Sequence, residues 1–195
     1  MDAPARKIGL FFGSFNPIHI GHLIIANIMA ENTDLSKVWF VVSPHNPLKD
    51  SKSLLHEFDR YDMVKAAIAD HYKLEVSDVE FHLPRPSYTI DTLAHLVERY
   101  PNYSFRVILG EDSLVNLPKW KNYRQLLDLY GLYIYPRPGS EKTELHRHPN
   151  VTLVDAPLLD ISATYIRQCI QNNKSIRYLV PEPVEQMIRQ RHLYR

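Results

Sequence analysis

The chain predicts a doubly wound α/β fold, with a mostly parallel, Rossmann-like sheet and helices on both faces. Three observations carry that expectation. Short β-branched and aromatic runs recur along the 195 residues. Most of these runs are continuously apolar rather than alternating, as strands covered on both faces are. Segments of helical period separate them, so strand and helix alternate through most of the chain. A sheet of this kind binds its ligands at the carboxyl ends of its strands.

Taken in order, KIGLFFG (residues 7–13) is the first strand and stops at Gly13. Ser14, Phe15, Asn16 and Pro17 then form a turn, and helical periodicity starts near His19 and covers residues 20–31. VWFVV (38–42) is the second strand and runs into the Pro-rich joint SPHNPLKD, after which a helix spans 58–71. A helix over 89–100 follows LPRPS, with Ser87, Tyr88 and Thr89 at its cap positions. SFRVILG (104–110), GLYIY (131–135) and VTLVDA (151–156) are three more strands, and helices cover 123–130, 161–172 and 184–191. Most prolines fall at the joints between these elements. The length suits one domain over residues 1–195, with 161–195 a mainly helical C-terminal part.

Composition narrows the function classes. Hydrophobic residues make up 45% of the chain and charged residues 23%, which is ordinary for a globular protein and not for a disordered one. The net charge is +1, with 23 basic against 22 acidic side chains, so no global field marks a nucleic-acid coat. Cys169 is the only cysteine, which rules out an internal disulfide and a multi-cysteine zinc site and suits a reducing compartment. Neither a signal peptide nor a membrane span is legible. These features predict a soluble cytoplasmic protein without nucleic-acid or membrane partners, and leave open whether copies form a homo-oligomer.

The stretch GSFNPIHIGH carries the chemistry. A strand end, a tight turn and a helix start aim backbone N–H groups and the positive end of the helix dipole at one point, which favours a phosphate. His19 and His22 are one helical turn apart and share a face, so both can reach one anion. Two cap-proximal surface histidines would give the same spacing. Zinc is disfavoured because no third ligand lies at a matching local spacing. Far downstream, ISATYIR places Ser162 as the N-cap of a helix and Arg167 about a turn and a half inside it. That too could be a plain capped helix with a solvent-facing arginine.

GSFNPIHIGH resembles the signature of the nucleotidylyltransferase superfamily, in which HxGH binds nucleoside-triphosphate phosphates. ISATYIR is similar to the ISxTxxR element of the same superfamily. PSYTIDTL, ILGEDSLVNLPKWKNY, SPHNPLKD and the ending LVPEPVEQMIRQRHLYR narrow the resemblance to the bacterial nicotinate-mononucleotide adenylyltransferases, over residues 7–195. The resemblance implies transfer of AMP from ATP to nicotinate mononucleotide, with Mg²⁺ carried mainly by the ATP phosphates and no protein metal site. Other acceptors, nicotinamide mononucleotide or a phosphopantetheine, and a non-catalytic nucleotide-binding regulator are the alternatives.

On this reading His19, His22 and Arg167 are catalytic. Gly13, Ser14, Phe15, Asp112, Ile161 and Ser162 join them around ATP, Asp112 being placed past a strand end like a ribose-binding acid. Asn16, Lys49, Ser87, Tyr88, Thr89, Trp120 and Tyr123 face the mononucleotide, with Trp120 a flat surface for a pyridine ring. Arg137, in YPRPG, is a strand-end cation of open role. Two departures stand out, because most relatives in the family carry GGSFDP where this chain has FGSFNP. Phe12 replaces a glycine where backbone approaches the ligand, and Asn16 replaces an aspartate, keeping the turn chemistry but losing a charge.

Overall fold

The alternation of strand and helix closes into a six-stranded parallel sheet of order β3-β2-β1-β4-β5-β6. The strands are β1 (Arg6–Gly13), β2 (Lys37–Val42), β3 (Leu74–Ser77), β4 (Tyr103–Gly110), β5 (Leu132–Tyr135) and β6 (Val151–Leu153). The structure is a computed structural model and describes residues 5–44 and 53–195. Lys49 lies outside the described residues.

Seven α-helices accompany the strands among the described residues: α1 (Ile20–Asn32), α2 (Glu57–Ala67), α3 (Thr89–Arg99), α4 (Asp112–Asn116), α5 (Tyr123–Leu129), α6 (Ala163–Gln171) and α7 (Glu182–Gln190). None is long and apolar enough to cross a membrane. Strand side chains alternate between two buried clusters, as the two-residue period requires. Phe11, Phe40, Ile108 and Tyr133 pack with α1, α2, α6 and α7 on one face. Leu10, Trp39, Val107 and Ile134 pack with α3, α4 and α5 on the other.

Two sequence expectations need correcting here. Residues 74–77 form a strand that pattern reading missed, because four residues with only Leu74 buried give too short a signal. The helix expected over 58–71 ends at Ala67. The strand order reverses at β1 and β4, which puts the ligand crevice above their carboxyl ends. Every element of the phosphate motif leads to that point.

Candidate active site

β1 ends at Gly13, and the chain turns at once through Phe15, whose φ of 45° lies in the left-handed region. A side chain rarely tolerates that conformation, so packing must hold it. The Phe15 ring meets the edges of Phe40 at 5.3 Å and His22 at 5.1 Å, and is itself buried. A Cβ on Gly13 would stand 2.7 Å from that ring, which is why a glycine closes the strand. Phe15 therefore serves the core, and only its backbone remains to face a ligand.

His19 caps α1 in an extended conformation, and its ring lies 5% exposed. It stacks on His22 with centroids 3.7 Å apart. Gly21 makes room for this: a Cβ there would come within 3.1 Å of His19 Nδ1. The glycine between the two histidines thus has a steric reason. Burial, helped by the positive charge of Arg137, holds the His19 pKa down at about 4. At neutral pH the ring is an uncharged hydrogen-bonding group. Its Nδ1 is buried with no hydrogen-bond partner among the described residues. A buried polar atom of this kind is where a ligand completes the network.

His22 Nδ1 accepts the His19 backbone N–H at 3.3 Å. In the neutral ring this fixes the proton on Nε2, which becomes the donor. His22 lines a cleft together with Gly21, Tyr135, Arg137 and Ile161. The start of α1 is less open than the sequence suggested, since the Ile20 N–H donates to the Leu179 carbonyl at 2.9 Å.

Ser162 is the N-cap of α6, accepting the Tyr165 N–H at 3.2 Å. Arg167 then reaches back across 151 positions and donates Nη1 to the Asn16 carbonyl at 2.8 Å, with Nη2 on Thr164 Oγ1 at 3.2 Å. The two motifs therefore meet directly, with Ile161 beside Gly21 at their junction. Two of the five N–H donors of Arg167 are engaged in this way.

Asn16, expected at the mononucleotide, has its side chain bonded within the protein. Its Nδ2 donates to the Ser53 carbonyl at 2.8 Å, and its Oδ1 accepts the Leu55 N–H at 3.2 Å and the Tyr194 hydroxyl at 2.9 Å. The side chain is 5% exposed and is spent on the protein itself. An aspartate could not make the donation to Ser53.

Asp112 opens α4 just past β4, with an exposed carboxylate 3.8 Å from Arg137 Nε. Arg137 is the residue whose part the sequence left open. It lies over the Tyr135 ring at 5.5 Å, and its buried Nε makes no hydrogen bond among the described residues. It faces the same cleft as His22. Phe12 turns away from this region. It sits with Trp120 and Tyr123 in the cluster on the opposite face of the sheet, so it does not crowd the phosphate turn as expected.

On that opposite face, Tyr88 is the N-cap of α3 and supplies no side-chain cap, while Thr89 is the first helical residue. Ser87 does not cap either, because its hydroxyl donates to Glu80 at 3.1 Å. Trp120 is half-buried after a 3₁₀ turn (Leu117–Lys119), and Tyr123 starts α5. Lys121 ties these elements together, lying over the Tyr88 ring at 4.9 Å and pairing with Asp91 at 2.7 Å.

A cleft at the switch point of a parallel sheet, lined by Gly21, His22 and Arg137, with Arg167 brought onto the turn that leads into it, is the arrangement expected of a nucleotidyltransferase. Residues 10–169 match the cytidylyltransferase-like family model. A protein of Cytophaga hutchinsonii named a probable nicotinate-nucleotide adenylyltransferase is 61% identical over 188 residues, covering 96% of this chain and 98% of that protein. A protein of the same name from Flavobacterium johnsoniae is 49% identical over 191 residues, covering 97% and 99%. The chain belongs to the nicotinate-nucleotide adenylyltransferase family. In fold it is similar to the Plasmodium falciparum nicotinic acid mononucleotide adenylyltransferase complexed with NaAD, with TM-score 0.82 and 23% identity over 97% of each chain.

Proposed function

We propose that the protein transfers AMP from ATP to nicotinate mononucleotide, giving nicotinate adenine dinucleotide and pyrophosphate, a step of NAD synthesis. The observation that carries this reading is the meeting of Arg167 with the turn that leads into His19, at the crevice between β1 and β4. The close relatives are named for the same reaction.

The mononucleotide phosphate attacks the α-phosphorus in line, and the bond to the pyrophosphate oxygen breaks. The nucleophile is already an anion, so no general base is required. Catalysis rests on positioning and on stabilising charge on the leaving group. His19, as a neutral ring, and His22 supply contacts to phosphate oxygens, while Arg167 and the Ser162 helix start hold the far phosphates. Arg137 adds a second fixed cation at the mouth of the cleft.

Mg²⁺ would supply further charge neutralisation on the triphosphate when bound. Glu111, just past β4, is engaged by Lys142 and His146, which suits an ion carried by ATP rather than by the protein.

At the acceptor end, the first turn of α3 lacks a side-chain cap, and its amides suit the nicotinate carboxylate. Trp120 offers a ring face for the pyridine, with Tyr123 beside it. Trp120→Ala is expected to weaken mononucleotide binding and leave ATP binding little altered, as read by separate calorimetric titrations; the reverse pattern would reject the acceptor assignment. The single cysteine, Cys169, is a buried free thiol, and a chain without disulfides suits the reducing cytoplasm, where we place the activity. Incubation with ATP, Mg²⁺ and nicotinate mononucleotide tests the reaction directly. Pyrophosphate and dinucleotide should appear in equal amounts, and no pyrophosphate would overturn the proposal.

A further inference from the structure

The segment after α7 returns to the phosphate turn. α7 ends at Gln190, and His192 takes a φ of 52°, in the left-handed region. The Leu193 N–H then donates to the Ile188 carbonyl at 3.0 Å, the bond that closes a left-handed helix terminus and reverses the chain. Arg191 fastens this terminus to α2, donating to Asp59 at 2.9 Å and Asp62 at 3.0 Å. Tyr194 follows, 8% exposed, in the same buried cluster as Phe11 and Phe40.

Tyr194 itself has a φ of 65°. For an aromatic residue this is an outlier that surrounding contacts have to maintain, and such outliers gather at functional sites. Its hydroxyl donates to Asn16 Oδ1 at 2.9 Å, with both groups buried. Burial pushes the Tyr194 pKa upward, so the hydroxyl stays a neutral donor at working pH.

Asn16 lies between Ser14 and His19 in the phosphate turn. Its backbone carbonyl accepts Arg167 Nη1 at 2.8 Å, so one residue both orients the arginine and is held by Tyr194. The other partners of its side chain, the Ser53 carbonyl and the Leu55 N–H, come from irregular chain before α2. Tyr194 is the partner that comes from the packed core. The Ser14 end of the turn has separate support, since Arg60, fully buried on α2, donates to the Ser14 carbonyl at 2.6 Å.

An arginine that grips phosphate with its remaining N–H groups depends on the rigidity of the bonds that orient it. A buried donor and acceptor supply that rigidity, because each loses its partner if the other moves.

We propose that Tyr194 is a positioning residue for the transfer: its hydroxyl fixes Asn16, and the Asn16 carbonyl sets the Arg167 guanidinium toward the triphosphate. This rests on the function proposed above. An error of ~1 Å at the reacting phosphates costs on the order of 10²-fold in rate, so a loosened arginine should cost a sizeable part of that.

Tyr194→Phe keeps the ring and the packing and deletes only the hydroxyl. It is expected to lower kcat roughly 10-fold at saturating ATP, with the KM for nicotinate mononucleotide within about twofold of the parent. Arg167→Lys keeps a charge, and so a measurable rate, but loses the planar fork that the Asn16 carbonyl orients. In that background Tyr194→Phe should change kcat by less than about twofold, because the hydroxyl acts through the guanidinium. A general loosening of the fold would instead multiply the two losses. Tyr133→Phe, which removes the hydroxyl bond to Asp34 at the amino-terminal edge of the sheet, should leave kcat unchanged.

A Tyr194→Phe kcat within about twofold of the parent, a loss residing in the mononucleotide KM, losses that multiply with Arg167→Lys, or an equal loss from Tyr133→Phe would overturn the positioning role. The parent enzyme is assayed alongside. A parent that makes no dinucleotide overturns the function itself, whereas an active parent with an unmoved Tyr194→Phe overturns only the role of Tyr194.

Discussion

Replacing His19 by alanine is expected to lower kcat by ~10²-fold or more, with the KM for the mononucleotide little changed. The ring is buried, stacked on His22 and placed by the missing side chain of Gly21, and its Nδ1 has no other partner among the described residues. Such a group waits for charge that develops on phosphate oxygens, so its loss should appear at the transition state. Steady-state kinetics at saturating ATP read this directly, and an unchanged kcat would remove His19 from the mechanism.

The same burial has a consequence for stability. The His19 pKa is about 4 in the fold against an ordinary 6.5, so the unfolded chain binds its proton first as pH falls. The stability associated with the neutral ring is therefore complete above pH 6.5 and lost between 6.5 and about 4. Its size is about 3 kcal/mol. Histidine ring chemical shifts followed across this range give the titration itself.

Arg60→Leu should be the most damaging single change outside the catalytic set, destabilising the fold by roughly 3 to 5 kcal/mol. Four carbonyls, from Ser14, Ser43, Pro44 and Leu55, lose their donor at once. Leucine fills the space and offers nothing to them. Arg60→Lys keeps the charge but not the planar fork, and should fall between leucine and the parent. Urea denaturation reads both values, and a midpoint for Arg60→Leu equal to the parent's would contradict this accounting.

The sheet was legible because strands covered on both faces are continuous apolar runs, and the alternation of Leu10, Phe11 and Phe12 between the two faces follows from a two-residue period. The strand-turn-helix junction was legible because its parts are local: a strand end, a turn and a helix start within ten residues. What stayed hidden depends on partners that arrive from far along the chain. Asn16 is engaged by Ser53, Leu55 and Tyr194, and the Ser87 hydroxyl donates to Glu80, contacts that no local pattern announces.

Arg60 did leave a trace. It lies three and four residues before Met63 and Val64 on the buried stripe of α2, a place where a charge demands an explanation. Glu80 left none, since it sits in a short 3₁₀ turn with no periodicity to betray its burial. Arg137 was visible only as a cation near a strand end, and its place over Tyr135 beside the cleft needed the fold.

The site is expected to join AMP to a pyridine mononucleotide carrying a carboxylate. Initial rates of pyrophosphate release with ATP, Mg²⁺ and a panel of acceptors test it most directly. Nicotinate mononucleotide should give the highest kcat/KM, the neutral nicotinamide analogue a clearly lower one, and phosphopantetheine none. A preference for either of the latter two, or no release with any acceptor, would contradict the account.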